Sequence, residues 1–290
     1  TPKPSSAASD VYKRQGLNDG TYSYVVYAID SAGNLNKTSM RSVTVDTTKP
    51  TITWEPPTPS DGATTNNNWV YLNTTVTDAG NTSAFFDWDN SLVGYWSMDF
   101  YNSTGVFDNS SYNNFGTFHG GLGTDGITDG KYGKGIRVNA STYISSTGSS
   151  LLQDMDEVTV EGWMYAESVP DSGEGLFSAT NLAYGCTYYV NGYVYAYIHG
   201  GGNHVSTAVS TGQWHHIVET FDGETIRLYV DGELKASKTS SYSSTGTSSE
   251  FRIGRSYSGC FPGIIDEVRI YNRVLSPEEI NASYNNGLYR

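Results

Sequence analysis

Residues 217–234 place two Asp-Gly turns between short runs of alternating side chains, and this pattern constrains the fold more than any other feature. The runs are Ile217–Phe221 and Ile226–Val230, and the turns are Asp222-Gly223 and Asp231-Gly232. Asp-Gly supplies the positive φ angles that tight hairpins require. Alternation in steps of two is typical of strands that bury one face. The segment therefore predicts an antiparallel β-meander.

Short strands and glycine turns continue from residue 91 to residue 290. Val158–Met164 shows the same alternation, and 32 glycines are available for the turns between such strands. Only Ser276–Ile280 has helical character, with Ser276 placed to cap the first turn and Pro277 to begin it. Regular short strands without helices are typical of a sandwich. The sequence thus predicts an all-β, antiparallel β-sandwich.

Charge and hydropathy exclude two kinds of partner. The formal net charge is −13, and the 17 Lys and Arg residues are scattered, so we expect no nucleic-acid binding. No apolar stretch approaches the roughly 18–20 residues that cross a bilayer, so we expect no membrane insertion within this segment.

Residues 5–15 resemble translated adapter sequence from metagenomic assemblies, and we therefore expect residues 1–15 to be a disordered artefact outside the fold.

Residues 20–48 have the pattern of a hairpin, with alternating side chains in Tyr22–Ala28, a turn at Ser31–Asn34 and a second strand ending at Asp46. The stretch resembles the last two strands of a bacterial or archaeal immunoglobulin-like surface repeat, whose linker resembles Asp46–Pro50. A second such module begins at Thr51, but a different pattern follows near residue 91. The expected organisation is residues 16–48 as the end of one Ig-like repeat, 49–90 as a partial Ig-like module, and 91–290 as an inserted domain.

Four segments in order resemble the laminin-G-like, concanavalin A-like jelly-roll superfamily. They are residues 92–117, 130–164, 213–234 and 263–287. The resemblance implies a jelly roll of two antiparallel sheets with curved strands. It leaves function open, because this fold carries lectins, adhesion modules, accessory domains of hydrolases and a minority of enzymes.

Candidates for catalysis are weak. A glycoside hydrolase needs two carboxylates about 5–9.5 Å apart across the scissile bond. Asp154 and Asp156 have a suitable spacing of two, but they precede the strand at Val158 and fit the polar turn before it. His215 and His216 are adjacent, so in a strand they point to opposite faces and cannot both bind one metal ion. We expect one imidazole to pack and the other to meet solvent, and we expect no enzymatic activity.

Calcium is the better metal hypothesis, since the acidic residues lie in loops beside Gly and Asn. Related jelly rolls hold a structural calcium with an acid of the closing strand and oxygens of an N-terminal loop. The resemblance implies Asp266 as the closing-strand acid, with Asp99 or Asp108 as its partner. The alternative is that Asp266 caps a loop or forms an ion pair with Arg269 or Arg252.

The segment 184–199 is the candidate for ligand binding. An Asn191-Gly192 turn divides it into two strands, and after the turn Val194, Ala196 and Ile198 alternate with tyrosines. An apolar face belongs in the core, so the other face is expected outward. Tyrosine rings suit stacking on sugars and carry a hydroxyl for hydrogen bonds, although such rings also brace neighbouring strands. The candidate ligand residues are Tyr193, Tyr195, Tyr197 and His199.

Cys186 and Cys260 are separated by enough chain to close a long loop, and a disulfide between them or two unpaired thiols are both compatible with the sequence. We expect an extracellular or cell-surface module that binds a glycan or a cell-surface protein. Two alternatives stay open. One is an accessory domain of a carbohydrate-active enzyme whose catalytic part lies elsewhere, and the other is a structural spacer of a surface layer.

Overall fold

The structure is a computed structural model that describes residues 14–79, 86–139, 141–147, 150–170, 172–200, 202–256 and 259–286. The chain divides into two compact units, one ending at Ala84 and the other running from Phe85 to Tyr289. Most of the segment 1–15 that is expected to be an artefact lies outside the described residues. In the described part of the chain, no helix is long and apolar enough to cross a membrane.

The N-terminal unit consists of short antiparallel ladders. The predicted hairpin is present. Its outer and inner strand pairs enclose a turn, and Gly33 in that turn adopts a φ of 89°. Large apolar side chains of these strands, including Tyr27, Ile29 and Trp54, are exposed. Their assignment to Ig-like modules stays a prediction. The strands are β1 (Gly20–Tyr24), β2 (Tyr27–Ile29), β3 (Leu35–Lys37), β4 (Arg41–Val45), β5 (Thr51–Trp54) and β6 (Thr74–Thr77), with the pairs β1–β4, β2–β3 and β5–β6.

The C-terminal unit is built almost entirely from strands, as the sequence predicts. Each predicted run is present, and the helix at Ser276 is the exception that the sequence also predicts. The strands are β7 (Leu92–Trp96), β8 (Tyr101–Asn102), β9 (Gly105–Val106), β10 (Gly116–His119), β11 (Ile127–Asp129), β12 (Lys134–Val138), β13 (Tyr143–Thr147), β14 (Val158–Ala166), β15 (Glu174–Ala179), β16 (Tyr184–Tyr188), β17 (Tyr193–Ile198), β18 (His204–Ala208), β19 (Trp214–Phe221), β20 (Thr225–Val230), β21 (Glu233–Thr239), β22 (Glu250–Ile253) and β23 (Gly263–Tyr271).

These strands form two antiparallel sheets that face each other across one apolar core. The nine-stranded sheet has the order β18-β17-β16-β15-β22-β13-β10-β9-β8. The eight-stranded sheet has the order β11-β12-β23-β14-β19-β20-β21, and β7 also pairs with β23. The core draws side chains from both sheets, among them Trp96, Phe177, Phe221 and Phe251, all of which are buried. The predicted sandwich is thus confirmed.

A single α-helix, α1 (Pro277–Asn286), follows the closing strand β23. Its first turn is held by a capping box. The backbone N–H of Glu279 donates to Ser276 Oγ at 3.2 Å, and the N–H of Ser276 donates to Glu279 Oε2 at 2.8 Å. Ile280 of the helix packs with Val218 and Leu275 in a second small cluster, on the face of the eight-stranded sheet opposite the main core. The helix therefore covers that face.

Candidate functional site

One row of residues crosses the nine-stranded sheet on the face opposite the core, and we call it the polar row. Strand pairing places its members directly opposite one another from strand to strand. The residues next to them in sequence, such as Phe177 and Ile253, point into the core. Side chains alternate between the two faces of a sheet, so the polar row points away from the core. Its members are Ser145, Arg252, Ser178, Gly185, Tyr197 and His204.

The alternation predicted for β17 is confirmed. Val194, Ala196 and Ile198 are fully buried in the core, and Tyr195 and Tyr197 lie on the other face. Next to the polar row, three rings form an aromatic cluster. The ring centroid of Tyr195 is 4.4 Å from that of Tyr189 and 5.0 Å from that of His204. The rings are tilted against one another by about 50°, and at these distances they stabilise each other and present apolar surface.

This cluster lines the smaller of two cavities on this face. The cavity has a volume of about 270 Å³. The side chain of Thr187 and that of Ser256 bring hydroxyl groups to it, so aromatic and polar surfaces meet. A cleft with an aromatic wall and a few polar groups is the usual form of a small-ligand site. The lining residues are Leu182, Thr187, Tyr189, Tyr195, Tyr197, Gly200, His204 and Ser256.

The larger cavity has a volume of about 410 Å³ and shares Leu182, Tyr197 and Ser256 with the smaller one. Its other lining residues are mainly hydroxyl, amide and guanidinium side chains. Since the two cavities have three residues in common, they adjoin each other on this face of the sheet, and we call the pair the depression. The lining residues are Ser178, Ala179, Thr180, Asn181, Leu182, Tyr197, Ser249, Arg252, Arg255 and Ser256.

Tyr197 lies at the junction of the two cavities and is only 5% exposed. Burial raises the pKa of its hydroxyl well above the ordinary value, so the phenol is neutral. The nearest polar neighbours of this hydroxyl are the side chains of Ser178 and Thr187. A neutral phenol beside two hydroxyls can donate and accept hydrogen bonds but cannot supply charge.

Two of the four predicted ligand residues lie outside the depression. Tyr193 is 38% exposed on the expected face of the sheet but lines neither cavity. His199 lies just beyond the end of β17, because its φ of 55° interrupts the extended backbone. Its ring stacks on that of Tyr242, with the two ring centroids 4.0 Å apart. Its placement beside the tyrosines was therefore wrong. His204 of the next strand takes that position instead.

Glu219 is a buried acid that the sequence analysis missed. It lies on β19 between Ile217 and Phe221, both core residues, so its side chain enters the space between the sheets and is fully buried. There it approaches the backbone of Gly185 and Tyr197, two paired members of the polar row, from the core side. Burial raises the pKa of the Glu219 carboxyl well above its ordinary value. The strict alternation of residues 217, 219 and 221 was the signal that could have identified it.

Two of the three predicted metal ligands, Asp99 and Asp266, contact the same loop, residues 130–134. Asp99 Oδ1 accepts a hydrogen bond from the N–H of Lys134 at 2.6 Å, and Asp266 Oδ2 accepts one from the N–H of Tyr132 at 2.9 Å. Both carboxylates lie against the glycines of this loop. A Cβ atom added at Gly130 or Gly133 would collide with them.

Asp266 is a buried acid with one unsatisfied carboxylate oxygen. It is fully buried, and its Oδ1 atom has no hydrogen-bond partner among the described residues. Burial, together with the charges of Glu267 and Asp99, raises the pKa of Asp266 to about 8. In the described part of the chain, no group of three His, Cys, Asp or Glu side chains is arranged to hold a metal ion. Two carboxylates with loop carbonyls and water are nevertheless a donor set that calcium accepts.

Asp108, the third predicted ligand, does not join this pair. It accepts hydrogen bonds from the N–H groups of Tyr95, Ser110 and Asn114 at 2.7–2.9 Å, and from the hydroxyl of Ser110. These bonds satisfy its carboxylate and hold the loop that follows β9. The hydrogen bonds give Asp108 a structural role, and the pairing of Asp99 with Asp266 at a metal ion stays a prediction.

The two cysteines are both buried and unpaired. Cys186 lies on β16 opposite Phe177 of β15, whereas Cys260 bridges to Gly175 of the same strand. Strand β15 pairs with β16 on one edge and with β22 on the other, and Cys260 follows β22. The disulfide considered from the sequence is thus absent, because the strand between the thiols keeps them apart. Burial raises the pKa of both thiols.

The other acidic and basic candidates have structural surroundings. Asp154 and Asp156 are exposed in the turn before β14, as predicted. His215 and His216 are both buried, so the expectation that one meets solvent was wrong. His215 Nδ1 lies 2.7 Å from Asp231 Oδ2, and His216 Nε2 lies 3.3 Å from Glu161 Oε2 beneath helix α1.

Comparison with known families agrees with this architecture. Residues 138–281 match a laminin G family model described as the concanavalin A-like lectin/glucanases superfamily. The C-terminal unit is a concanavalin A-like domain. Among curated proteins, none matches the sequence.

Solved structures share the fold of the concanavalin A-like domain at low sequence identity. Domain 4 of an extracellular GH43 arabinanase from Geobacillus stearothermophilus, solved with arabinotriose, is 22% identical with a TM-score of 0.54, over 66% of this chain and 97% of that one. The binding domain of Paraclostridial Mosquitocidal Protein 1 is 17% identical with a TM-score of 0.55, over 68% and 52%. A Trypanosoma rangeli sialidase, in complex with a difluoro-KDN inhibitor, is 18% identical with a TM-score of 0.53, over 68% and 33%. This chain thus spans about half of the mosquitocidal protein's binding domain and about a third of the sialidase. At these sequence identities the similarity concerns the fold alone.

Proposed function

We propose that the concanavalin A-like domain recognises carbohydrate in the depression beside the polar row. The observation that carries this proposal is the meeting of the Tyr189, Tyr195 and His204 rings with the polar side chains of Thr187 and Ser256 in the lining of one cleft. A sugar ring has an apolar face of C–H groups and an edge of hydroxyls. Aromatic surface and neutral hydrogen-bonding groups complement these two features.

Recognition rather than cleavage is the role that fits the lining. Among the described residues that line the two cavities, none is an aspartate or glutamate. Hydrolysis of a glycosidic bond requires a carboxylic acid and a second carboxylate on either side of that bond. The nearby carboxylate of Glu250 is engaged with Arg252, and Glu219 lies on the core side of the sheet. We therefore propose a non-catalytic binding domain.

The arabinanase domain that shares this fold is part of a larger extracellular enzyme and was solved with a bound oligosaccharide. An accessory role in a carbohydrate-active protein is accordingly the second candidate, and it uses the same site. Within either role we propose an extracellular or cell-surface setting, with a glycan as the ligand. A surface-layer spacer would leave the cleft without a ligand, and the binding experiment below separates it from the other two.

We further propose that calcium stabilises the domain at Asp99 and Asp266. The unpartnered, buried Oδ1 of Asp266 and the two glycines that make room for the carboxylates support this assignment. The ion would supply positive charge beside Asp266, whose pKa is raised by burial and by the charges of Glu267 and Asp99. Its role would be structural, because neither residue lines the depression.

Glycan-array screening followed by calorimetry on the best ligand tests the proposed binding. We expect Tyr195→Ala to weaken binding by about tenfold or more, because it removes the ring that contacts both Tyr189 and His204. Tyr101→Ala is the control, since Tyr101 is an exposed tyrosine on β8, at the far edge of the same sheet and outside both cavities. Absence of any glycan binding by the parent protein, or equal loss in both variants, would contradict the proposal.

A further inference from the structure

The larger cavity contains an arginine whose charge is not balanced within the described structure. The Arg255 guanidinium lies over the ring of Tyr143, with Cζ 4.8 Å from the centroid. Its Nε is buried and donates no hydrogen bond to a described residue. Among the described residues, none forms an ion pair with Arg255. The residue as a whole is half-buried and lines the cavity, so a ligand there can bring an acceptor to the remaining N–H groups of its guanidinium.

The second arginine of the cavity differs in this respect. Arg252 donates from Nε to Glu250 Oε1 at 2.9 Å and from an Nη to Glu250 Oε2 at 3.0 Å. This two-point ion pair offsets its charge. The cavity therefore has one uncompensated positive charge, at Arg255, in a wall that otherwise consists largely of neutral polar groups such as Ser178, Asn181 and Ser249.

One positive charge among hydroxyls and an amide matches one negative charge on a polyhydroxylated ligand. The planar guanidinium suits a carboxylate, which it can meet through two parallel hydrogen bonds. A densely charged polymer is disfavoured, because the chain has a formal net charge of −13 and repels polyanions as a whole. The chemistry of the cavity thus selects a sugar with a single carboxylate rather than a sulfated polysaccharide.

We propose that Arg255 binds the carboxylate of one acidic sugar residue, of the uronic acid class, within an otherwise neutral oligosaccharide. This inference rests on the proposed function and adds the class of ligand. The neighbouring neutral sugar would lie on the aromatic cluster of the smaller cavity, because the two cavities adjoin at Leu182, Tyr197 and Ser256. Arg255 would then determine specificity, and Tyr195 would supply affinity common to acidic and neutral ligands.

The test compares matched pairs of oligosaccharides. Each pair consists of a neutral oligosaccharide that ends in glucuronic or galacturonic acid and the same molecule with that carboxyl reduced to the alcohol. We expect the parent protein to bind the acid of at least one pair about 10- to 100-fold more tightly than its reduced form, which is the range for a hydrogen bond to a charged group. Arg255→Gln should abolish that preference, because it should weaken binding of the acid far more than binding of the reduced form.

Arg227→Gln is the matched control, since Arg227 pairs with Asp222 on the other sheet and should leave the preference intact. Thermal unfolding of each variant verifies the fold, and Arg255→Lys retains the charge if the glutamine variant is unstable. Equal affinity for acid and alcohol in the parent protein, together with binding that depends on Tyr195, would overturn this inference and leave the proposed function standing. Retention of the preference in a folded Arg255→Gln variant would also overturn it. Absence of all glycan binding would remove both.

Discussion

Replacement of Glu219 by glutamine should change how the stability of the domain depends on pH. Glu219 is fully buried between the sheets, and burial raises the pKa of its carboxyl well above 4.5. In the unfolded chain the same group ionises near its ordinary pKa. Above that pH the native state retains a proton that the unfolded state has lost. Rising pH therefore lowers the free energy of unfolding of the parent protein.

The magnitude follows from the one proton involved. Each pH unit between the unfolded and the folded pKa lowers the free energy of unfolding by about 1.4 kcal/mol. As the pH rises above the unfolded pKa, the parent protein should thus lose stability relative to Glu219→Gln, which has no proton to lose, until the pH reaches the folded pKa. Below pH 4.5 the difference in slope should vanish, since both states of the parent protein are then protonated.

Urea unfolding of both proteins at several pH values from 4 to 8 measures this difference. Contributions from the other titrating groups are shared and cancel in the comparison, so the slopes are informative even if the absolute stabilities differ. Glu157→Gln is a suitable control, because Glu157 is exposed in the turn before β14 and should give a curve parallel to that of the parent protein. Parallel curves for the parent protein and Glu219→Gln would refute the assignment of a neutral, buried Glu219.

Three further outcomes test other parts of the structure. A chelator should lower the melting temperature of the calcium-loaded parent protein by several degrees if binding contributes about 1–3 kcal/mol, and Asp266→Asn should remove this difference, whereas an unchanged response would exclude Asp266 as a ligand. Cys186 and Cys260 should both resist a thiol reagent in the native protein and react after denaturation without reductant, since they are buried and unpaired; a disulfide detected by mass spectrometry would contradict this. Ser276→Ala should destabilise the domain by about 1 kcal/mol in urea unfolding, through loss of the helix cap, whereas an unchanged midpoint would assign the cap no role.

The architecture of the C-terminal unit was predictable because its signals are local. Asp-Gly turns, alternation in steps of two and the cap at Ser276 each depend on a few neighbouring residues. The faces of β17 followed from the same rule, and Val194 and Ala196 are in the core as expected. The failure at His199 has a local cause as well. The positive φ of His199 ends the strand one residue earlier than the alternation predicted. The alternation itself gives no sign of that change.

The site itself was only partly predictable, because it forms where distant segments meet. Tyr195 and Tyr197 came from one strand, and the sequence identified them. Arg255 and His204 belong to other strands or loops, and only the pairing of β15 with β22 and of β17 with β18 places them in the same depression. Such pairings depend on long-range contacts that residue spacing alone does not specify.

Helix α1 explains the remaining discrepancy, which is the burial of charged residues on the outer face of the eight-stranded sheet. Alternation places Glu161, His216 and Arg269 opposite the core, where solvent was expected, yet all three are buried. Ser283 of the helix donates from Oγ to Glu161 Oε2 at 3.0 Å, and Arg269 pairs with Glu161 and with Glu267. Charges enclosed in this way require partners, because an unpaired buried charge is strongly destabilising. The helix and the charged network therefore depend on each other, although Glu161 lies 122 residues before Ser283 in the sequence.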